Sequence, residues 1–373
     1  MITLFASLSL ALAIPPDQAA ADALSVGGCS LCHQADGMPL ASRQDSCHDC
    51  HVWIRDVSND PDKRHRALQL FPLWERYETN VTSYLSVPNL DAAMARLEPA
   101  WFQTWLADPH DVRPSLPEGM PRFDLTEAQT NAIVSWFTAN KAQPATTPPP
   151  DPNQVNSGRQ LYETKGCPAC HSFGNQPALG LYPMAPDLAH ARSRMHPDMI
   201  AAWIQDPSAV SSQATMPAIG LTRDEAIAIR DYLVLTPLSW TPQPPLTSDP
   251  SPTNKPVVWA DVEERVFAKI CVHCHMDPAQ NQGRAGPGNA GGFGWDATGI
   301  ELQTYEGVVA VADQIPDVLS QRRREAHRDV VSPGHHPAQI VRLEKPGMPL
   351  GLPPLSNEDH ALILGWIAQG MPR

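Results

Sequence analysis

The chain carries Cys-x-x-Cys-His four times: Cys29/Cys32/His33, Cys47/Cys50/His51, Cys167/Cys170/His171 and Cys271/Cys274/His275. These copies use all 8 cysteines. Once all four are filled, no thiol remains for a disulfide, a Cys nucleophile or a Cys axial ligand. Two thiols at this spacing can form thioethers to the two vinyl groups on one edge of a haem, and the next residue then points an imidazole at the iron. One copy alone could be a redox dithiol or half a zinc site. Four copies, each followed at once by His, predict four covalently attached c-type haems, with His33, His51, His171 and His275 as the first axial ligands.

The N-terminus, MITLFASLSLALAIPPDQAAADA, has an apolar run from Leu4 to Ile14 and a small-residue site at Ala21-Asp22-Ala23. This pattern predicts a cleaved signal peptide over residues 1–23. No Lys or Arg precedes the run, so a retained hydrophobic helix is the alternative. No later stretch approaches the roughly 18 apolar residues that cross a bilayer. The expectation is an exported, periplasmic protein with no transmembrane span after signal removal. A formal charge of −13 disfavours nucleic acid and anionic membrane as partners. It suits a basic docking patch on a redox partner, or simple solubility.

Proline number (40 in 373 residues) is high, and two runs concentrate it: AQPATTPPPDPNQ and TPLSWTPQPPLTSDPSPTNKPVV. Neither has helical periodicity, and both read as extended, semi-rigid spacers. They place linkers at 142–154 and 237–256 and divide the rest into an N-terminal segment (24–141), a middle segment (155–236) and a C-terminal segment (257–373).

An internal repeat relates the N-terminal and middle segments. Pro88-Asn89-Leu90 matches Pro186-Asp187-Leu188, and Trp105-Leu106-x-Asp108-Pro109 matches Trp203-Ile204-x-Asp206-Pro207. Met120-Pro121 and Met216-Pro217 follow, each leading to a helical pattern that Thr126 or Thr222 can cap. The C-terminal segment opens with a helix running into its motif and closes with Met348-Pro349 and a helix capped by Ser356. Its middle is Gly-rich (GRAGPGNAGGFGW) and has no Trp-x-x-Asp-Pro counterpart. No strand-like alternation of useful length appears. The expected fold is all-α, with small helices wrapped around haem. At this size an apolar core alone is marginal, so each segment should depend on haem for folding.

These residues resemble class I c-type cytochrome domains, which run N-terminal helix, Cys-x-x-Cys-His, Pro-x-Leu, Met-bearing loop and C-terminal helix. The middle segment matches throughout. The C-terminal segment resembles members that close on Met-Pro, Leu-Ser and Trp-Ile-x-x-Gly, here Met348-Pro349, Leu355-Ser356 and Trp366 to Gly370. The N-terminal segment matches through CSLCHQADG, Pro88-Asn89-Leu90 and Met120, but carries an insertion beginning SRQDSCHDCHVW. The resemblance implies three cytochrome c domains, the first with two haems.

It also implies a Met thioether as second axial ligand, a soft neutral donor that raises the potential. Position assigns Met216 to the His171 haem and Met348 to the His275 haem. Met120 falls to the His33 haem, with the His51 haem as an open alternative. Met38 reads as loop packing, and Met94, Met184, Met195, Met199 and Met276 as core fillers. The remaining haem needs another ligand, for which His65 and His110 are the candidates, or its iron is five-coordinate. His48 sits inside its own attachment loop and cannot fold back onto its own iron. His273, inside its loop likewise, and His335-His336 read as exposed. Trp105, Trp203 and Trp366 read as core packing.

Two functions follow as expectations. One is single-electron transfer between redox partner proteins, or with a membrane oxidoreductase complex, because most irons have two ligands in prospect. The other is a haem redox enzyme with substrate chemistry at the His51 haem, where no catalytic constellation is evident.

Overall fold

The computed structural model describes residues 15–42, 45–71, 74–79, 81–94, 96–109, 112–113, 116, 119–123, 125–140, 146–238, 246, 248–277, 294–295, 298–331 and 346–373. The expected apolar leader, His110, His335-His336 and most of the Gly-rich stretch lie outside them. Among the described residues the regular structure is helical, with two isolated β-bridges. No helix among them is long and apolar enough to cross a membrane.

The N-terminal segment contains α1 (Gln18–Val26), α2 (Cys47–Ser58), α3 (Pro61–Leu70), α4 (Trp74–Glu78), α5 (Leu90–Met94), α6 (Pro99–Ala107) and α7 (Glu127–Ala139). Asp17 caps α1 by accepting from the Ala20 amide at 2.8 Å. The small residues Ala20 and Ala23 are fully buried there, in one cluster with Ile133, Trp136 and Phe137 of α7. The expected signal-peptide boundary at Ala23 therefore falls inside a packed helix. Cutting there would remove both its cap and its buried first two turns. Thr126 caps α7 as expected, in a reciprocal pair with Gln129.

Inserted between α1 and α5, α2 to α4 build a satellite core of Ile54, Val57, Ala67, Trp74 and Val81. Trp74 is fully buried, with Trp53 edge-on at 5.4 Å and Phe71 stacked at 5.9 Å. Glu78 ties this core together, accepting from Trp74 Nε1 at 2.8 Å and from Arg64 Nε at 2.9 Å.

The middle segment contains α8 (Val155–Thr164), α9 (Ala191–Arg194), α10 (Pro197–Gln205), α11 (Pro207–Val210) and α12 (Arg223–Leu235). Here α8 crosses α12 in backbone contact. A Cβ at Gly158 would lie 1.9 Å from the Ala228 carbonyl oxygen, so only glycine permits this crossing. Thr222 caps α12 with Glu225 in the same reciprocal box. The C-terminal segment contains α13 (Trp259–Val262), continued by a π turn at Glu263–Phe267, then α14 (Tyr305–Val309), α15 (Ile315–Val331) and α16 (Asn357–Ala368). Ser356 caps α16, accepting from the Asp359 amide at 3.0 Å. Fully buried Trp366 packs on Trp259 at 5.7 Å.

The Pro-rich runs, expected as spacers, are straps wherever they are described. In the first, Arg230 of α12 donates to Thr147 Oγ1 and to the Pro148 carbonyl, both at 2.9 Å. The Thr147 amide in turn donates to Asp198 at 2.9 Å. Arg230 and Asp231 form a wholly buried ion pair beneath this strap. In the second run, the Thr253 amide donates to the Ala361 carbonyl of α16 at 3.0 Å, and Gln369 donates to the Lys255 carbonyl at 2.8 Å. An extended proline-rich segment makes no internal hydrogen bonds, so its carbonyls are available to such partners.

The repeat units of the N-terminal and middle segments meet at equivalent positions of the repeat. Leu97 and Met195, counterparts in the repeat, pair with each other in an antiparallel bridge. Arg96 lies 4.5 Å over the Trp203 ring, and its counterpart Arg194 lies 5.5 Å over Trp101. Trp203 thus serves this interface, whereas Trp366 is core as expected.

Removing the buried guanidinium should strand Asp231 and release the strap. Arg230→Met is expected to cost about 3–5 kcal/mol in denaturant unfolding, and to open the 142–154 segment to limited proteolysis.

Candidate functional site

Three of the four attachment motifs share one local shape. Cys29–Leu31, Cys167–Ala169 and Cys271–His273 each form a 3-10 turn. In each, the His amide donates back to the first Cys carbonyl, at 2.8 Å for His33, 3.0 Å for His171 and 3.1 Å for His275. Gly28 and Gly166 precede the first two turns with positive φ, a conformation that favours glycine. The motif of the insertion differs: Cys47 opens an α-helix that Ser46 caps from the Asp49 amide at 3.1 Å. All 8 thiols are unbridged.

All four motif histidines make the same contact. Each engages a backbone carbonyl through Nδ1: His33 with Pro88 at 2.9 Å, His51 with Ser83 at 2.7 Å, His171 with Pro186 at 2.9 Å and His275 with Ile300 at 3.2 Å. A carbonyl can only accept, so Nδ1 must carry the proton, and Nε2 is left as a lone-pair donor. Metal-binding histidines are commonly oriented in this way by an outer partner. Burial lowers the pKa of all four imidazoles below the ordinary value, which keeps them neutral. Neutral imidazole is the form that binds metal. The thiol pairs and these oriented imidazoles fit covalent haem.

The repeat extends to this shell. The Leu90 amide donates to the Gln34 carbonyl and the Leu188 amide to the Ser172 carbonyl, both at 2.9 Å. In the C-terminal segment the Leu302 amide donates to the His275 carbonyl at 2.8 Å. Ile300-Glu301-Leu302 therefore takes the place of Pro-x-Leu without its proline. Nothing in residue type marks it, because the contact is made by a carbonyl. Gly294 packs directly on the imidazole, where a Cβ would lie 2.6 Å from the His275 ring.

Three motifs from two distant regions of the chain converge. The Cys32 thiol is hydrogen-bonded to Cys47, which raises its own pKa and lowers that of Cys47. Cys274 lies close enough for its charge to act on Cys32, and that of Cys47 acts on Cys274 in turn. Two backbone-level contacts hold the regions together. Tyr84 Oη donates to the Leu350 carbonyl at 2.6 Å, and the Gly119 amide donates to the Gly351 carbonyl at 2.9 Å. These contacts bring the Met120 and Met348 loops side by side. A Cβ at Gly351 would lie 2.7 Å from Tyr84 Oη, so the approach requires glycine there.

The middle motif stands outside this convergence, within the packing of its own segment. Cys170, expected to form the second thioether of that haem, closes its 3-10 turn half-buried, and its amide donates to the Cys167 carbonyl at 3.2 Å. Burial, and after it the charge of Cys170, pushes the Cys167 thiol up to about 11. Cys170 therefore has Cys167 as its neighbouring thiol, whereas Cys32, Cys47 and Cys274 act on one another across motifs. The sequence gives all four motifs the same form and does not distinguish this isolated pair from the crowded ones.

Met120, Met216 and Met348 each lie on the loop ahead of a terminal helix; Met120 is half-buried against the N-terminal core. Met38, Met199 and Met276 are buried, as packing residues should be. His65 lies in the insertion, on α3. It is exposed and hydrogen-bonded to Gln69 at 3.1 Å. His110 lies outside the described residues. The expectation that His273 is exposed fails. It is half-buried, its ring centre 6.4 Å from that of His51, and burial together with His51 lowers its pKa to about 4. His48 holds the Tyr84 carbonyl through Nδ1 at 2.8 Å.

Residues 155–236 match the family model described as Cytochrome c. That segment is a cytochrome c domain. For this segment the match implies a covalently bound c-type haem with iron and a haem electron-transfer role. No curated protein and no solved structure matches the chain.

Glu78 clamps the insertion that carries His51. The Arg64 guanidinium holds its carboxyl below the usual carboxylate range. A depressed folded pKa stabilises above the unfolded value, and that stability is lost as pH falls through the folded one. Acidification below the ordinary carboxylate range should therefore loosen α2 to α4. Glu78→Gln is expected to lower stability at neutral pH and to flatten the acid limb of a circular-dichroism titration.

Proposed function

We propose that this protein is an exported, periplasmic tetrahaem electron carrier made of three cytochrome c domains, the first holding two haems. The haems are attached at Cys29 and Cys32, Cys47 and Cys50, Cys167 and Cys170, and Cys271 and Cys274. Their irons are held by His33, His51, His171 and His275, with Met120, Met216 and Met348 completing three of them. The observation that carries this reading is the uniform Nδ1–carbonyl contact of the four histidines. A motif present by chance would have no reason to orient its imidazole in this way.

Bound haem iron supplies a one-electron Fe(III)/Fe(II) couple whose potential its axial ligands tune. The chain's own contribution is to fix the imidazoles and to hold three attachment sites against one another. It also docks the middle segment on the N-terminal segment through Arg96 and Arg194. Electrons would enter and leave through redox partner proteins, or a membrane oxidoreductase, that present a basic patch to the net charge of −13. No transmembrane span would remain after signal removal. The mature N-terminus would lie at or before Asp17, so that α1 keeps its cap.

Haem content by alkaline pyridine haemochrome, with intact mass, should give four haems per chain and no reactive thiol. A count of one, at Cys167 and Cys170 alone, would sink the multihaem reading. Carbon monoxide added to the reduced native protein should leave its spectrum largely unchanged. Prompt binding at one haem of four would favour an enzyme acting at the His51 site. N-terminal sequencing of the exported chain checks the leader: a start beyond Asp17 contradicts the proposed boundary.

A further inference from the structure

The insertion brings a haem for which the repeat supplies no second methionine, and the C-terminal segment brings a histidine to its attachment site. We propose that His273 is the sixth ligand of the haem attached at Cys47 and Cys50, opposite His51, so that the C-terminal segment completes a centre carried by the N-terminal one. This inference rests on the tetrahaem reading above and assigns its one unmatched iron.

Geometry comes first. His51 and His273 have ring centres 6.4 Å apart with planes at 66°. Two imidazoles on opposite sides of one metal, each with a nitrogen about 2 Å from it, place their ring centres roughly 6.3 Å apart. Rotation about the metal–nitrogen bonds leaves the interplanar angle open, so 66° is acceptable. His51 spends its Nδ1 on the Ser83 carbonyl at 2.7 Å, leaving Nε2 as its metal-facing nitrogen.

Among the described residues, the other histidines of the N-terminal segment show no such pairing with His51. His65 is exposed on α3. His48 lies between Cys47 and Cys50, in the first turn of α2, which spans the two thioether positions. His273 is barred from its own iron because it lies between Cys271 and Cys274. It is free of that restriction toward a neighbouring haem.

The approach of the two segments is specified independently of the histidines. The Tyr84–Leu350 and Gly119–Gly351 hydrogen bonds lock the surrounding loops. Tyr84 also lines the site itself, its ring 5.9 Å from that of His51. Two neighbouring carbonyls, those of Ser83 and Tyr84, hold His51 and His48. One short stretch therefore positions the N-terminal imidazole and docks the C-terminal segment that brings its counterpart.

A bis-imidazole iron lacks the thioether that raises the potential in His/Met sites. The His51 haem would then be the lowest in potential of the four. It would also be joined to the His275 haem through the few bonds between His273 and His275.

The test uses the full-length protein with four haems confirmed. In His273→Ala, one ferric haem in four should become high-spin by electron paramagnetic resonance. After reduction one haem in four should bind carbon monoxide, and added imidazole should restore the low-spin signal. His273→Met, a second variant that keeps a ligand and tolerates a folding failure of the first, should raise the lowest of the four midpoint potentials. The proposal is overturned if His273→Ala keeps four low-spin haems that refuse carbon monoxide, or if His273→Met leaves all four potentials unmoved. It is overturned too if the native protein already binds carbon monoxide at one haem. A native haem count below four, with reactive thiols at Cys47 and Cys50, would instead remove the tetrahaem reading beneath it.

Discussion

The hydrogen bond from an imidazole Nδ1 to a backbone carbonyl is the contact on which the rest of this structure turns. It appears at His33, His51, His171 and His275. Each of these bonds fixes a tautomer, aims a lone pair, and ties the attachment turn to a segment distant in sequence. That tie reaches 55 residues along the chain for His33 and 32 for His51. The helices can then be seen as supports for four such ties. Where α1 meets α7 and α8 meets α12, small residues or glycine allow the helices to cross closely.

The segments of the chain are coupled more tightly than their proline-rich connections suggest. Those connections lie across the terminal helices α12 and α16 and satisfy their own carbonyls there. Arg230 and Asp231 show the cost such an arrangement accepts: two charges removed from water and made tolerable only by each other and by the strap. Docking through Arg96 on Trp203 and Arg194 on Trp101 uses the repeated arginine from both sides, although the two tryptophans are not counterparts in the repeat. The contacts of Tyr84 and Gly119 with the 350–351 backbone close the other side. With such rigidity, the separation between the motifs is set by protein packing and not by a flexible tether.

Much of this is legible in the chain itself. Helical periodicity with Thr126, Thr222 and Ser356 in capping positions foretells α7, α12 and α16, because capping is a local matter of side chain and nearest amides. The Pro-x-Leu repeat marks the segments whose carbonyls hold His33 and His171. The corresponding tie at Ile300 is not legible, since a carbonyl carries no signature of residue type. Nor is the difference between Cys170, which has its own motif partner for company, and Cys32, which meets a second motif. The straps pass for spacers because composition reports what a segment cannot do alone, not what a neighbouring arginine will do for it. A leader boundary inside α1 is suggested because alanines suit both a cleavage site and a close helix crossing.

By itself the sequence determined the chemistry: eight thiols and four imidazoles in fixed spacing, enough to specify covalent haem and an all-α fold around it. Those features depend on residues within a few positions of one another, and local geometry suffices for them. Only the tertiary structure decided which motifs touch. It placed His273 beside His51, although 222 residues separate that pair along the chain. No local rule reaches so far. That meeting is set by how two packed segments present complementary loops, with Tyr84 against Leu350 and Gly119 against Gly351.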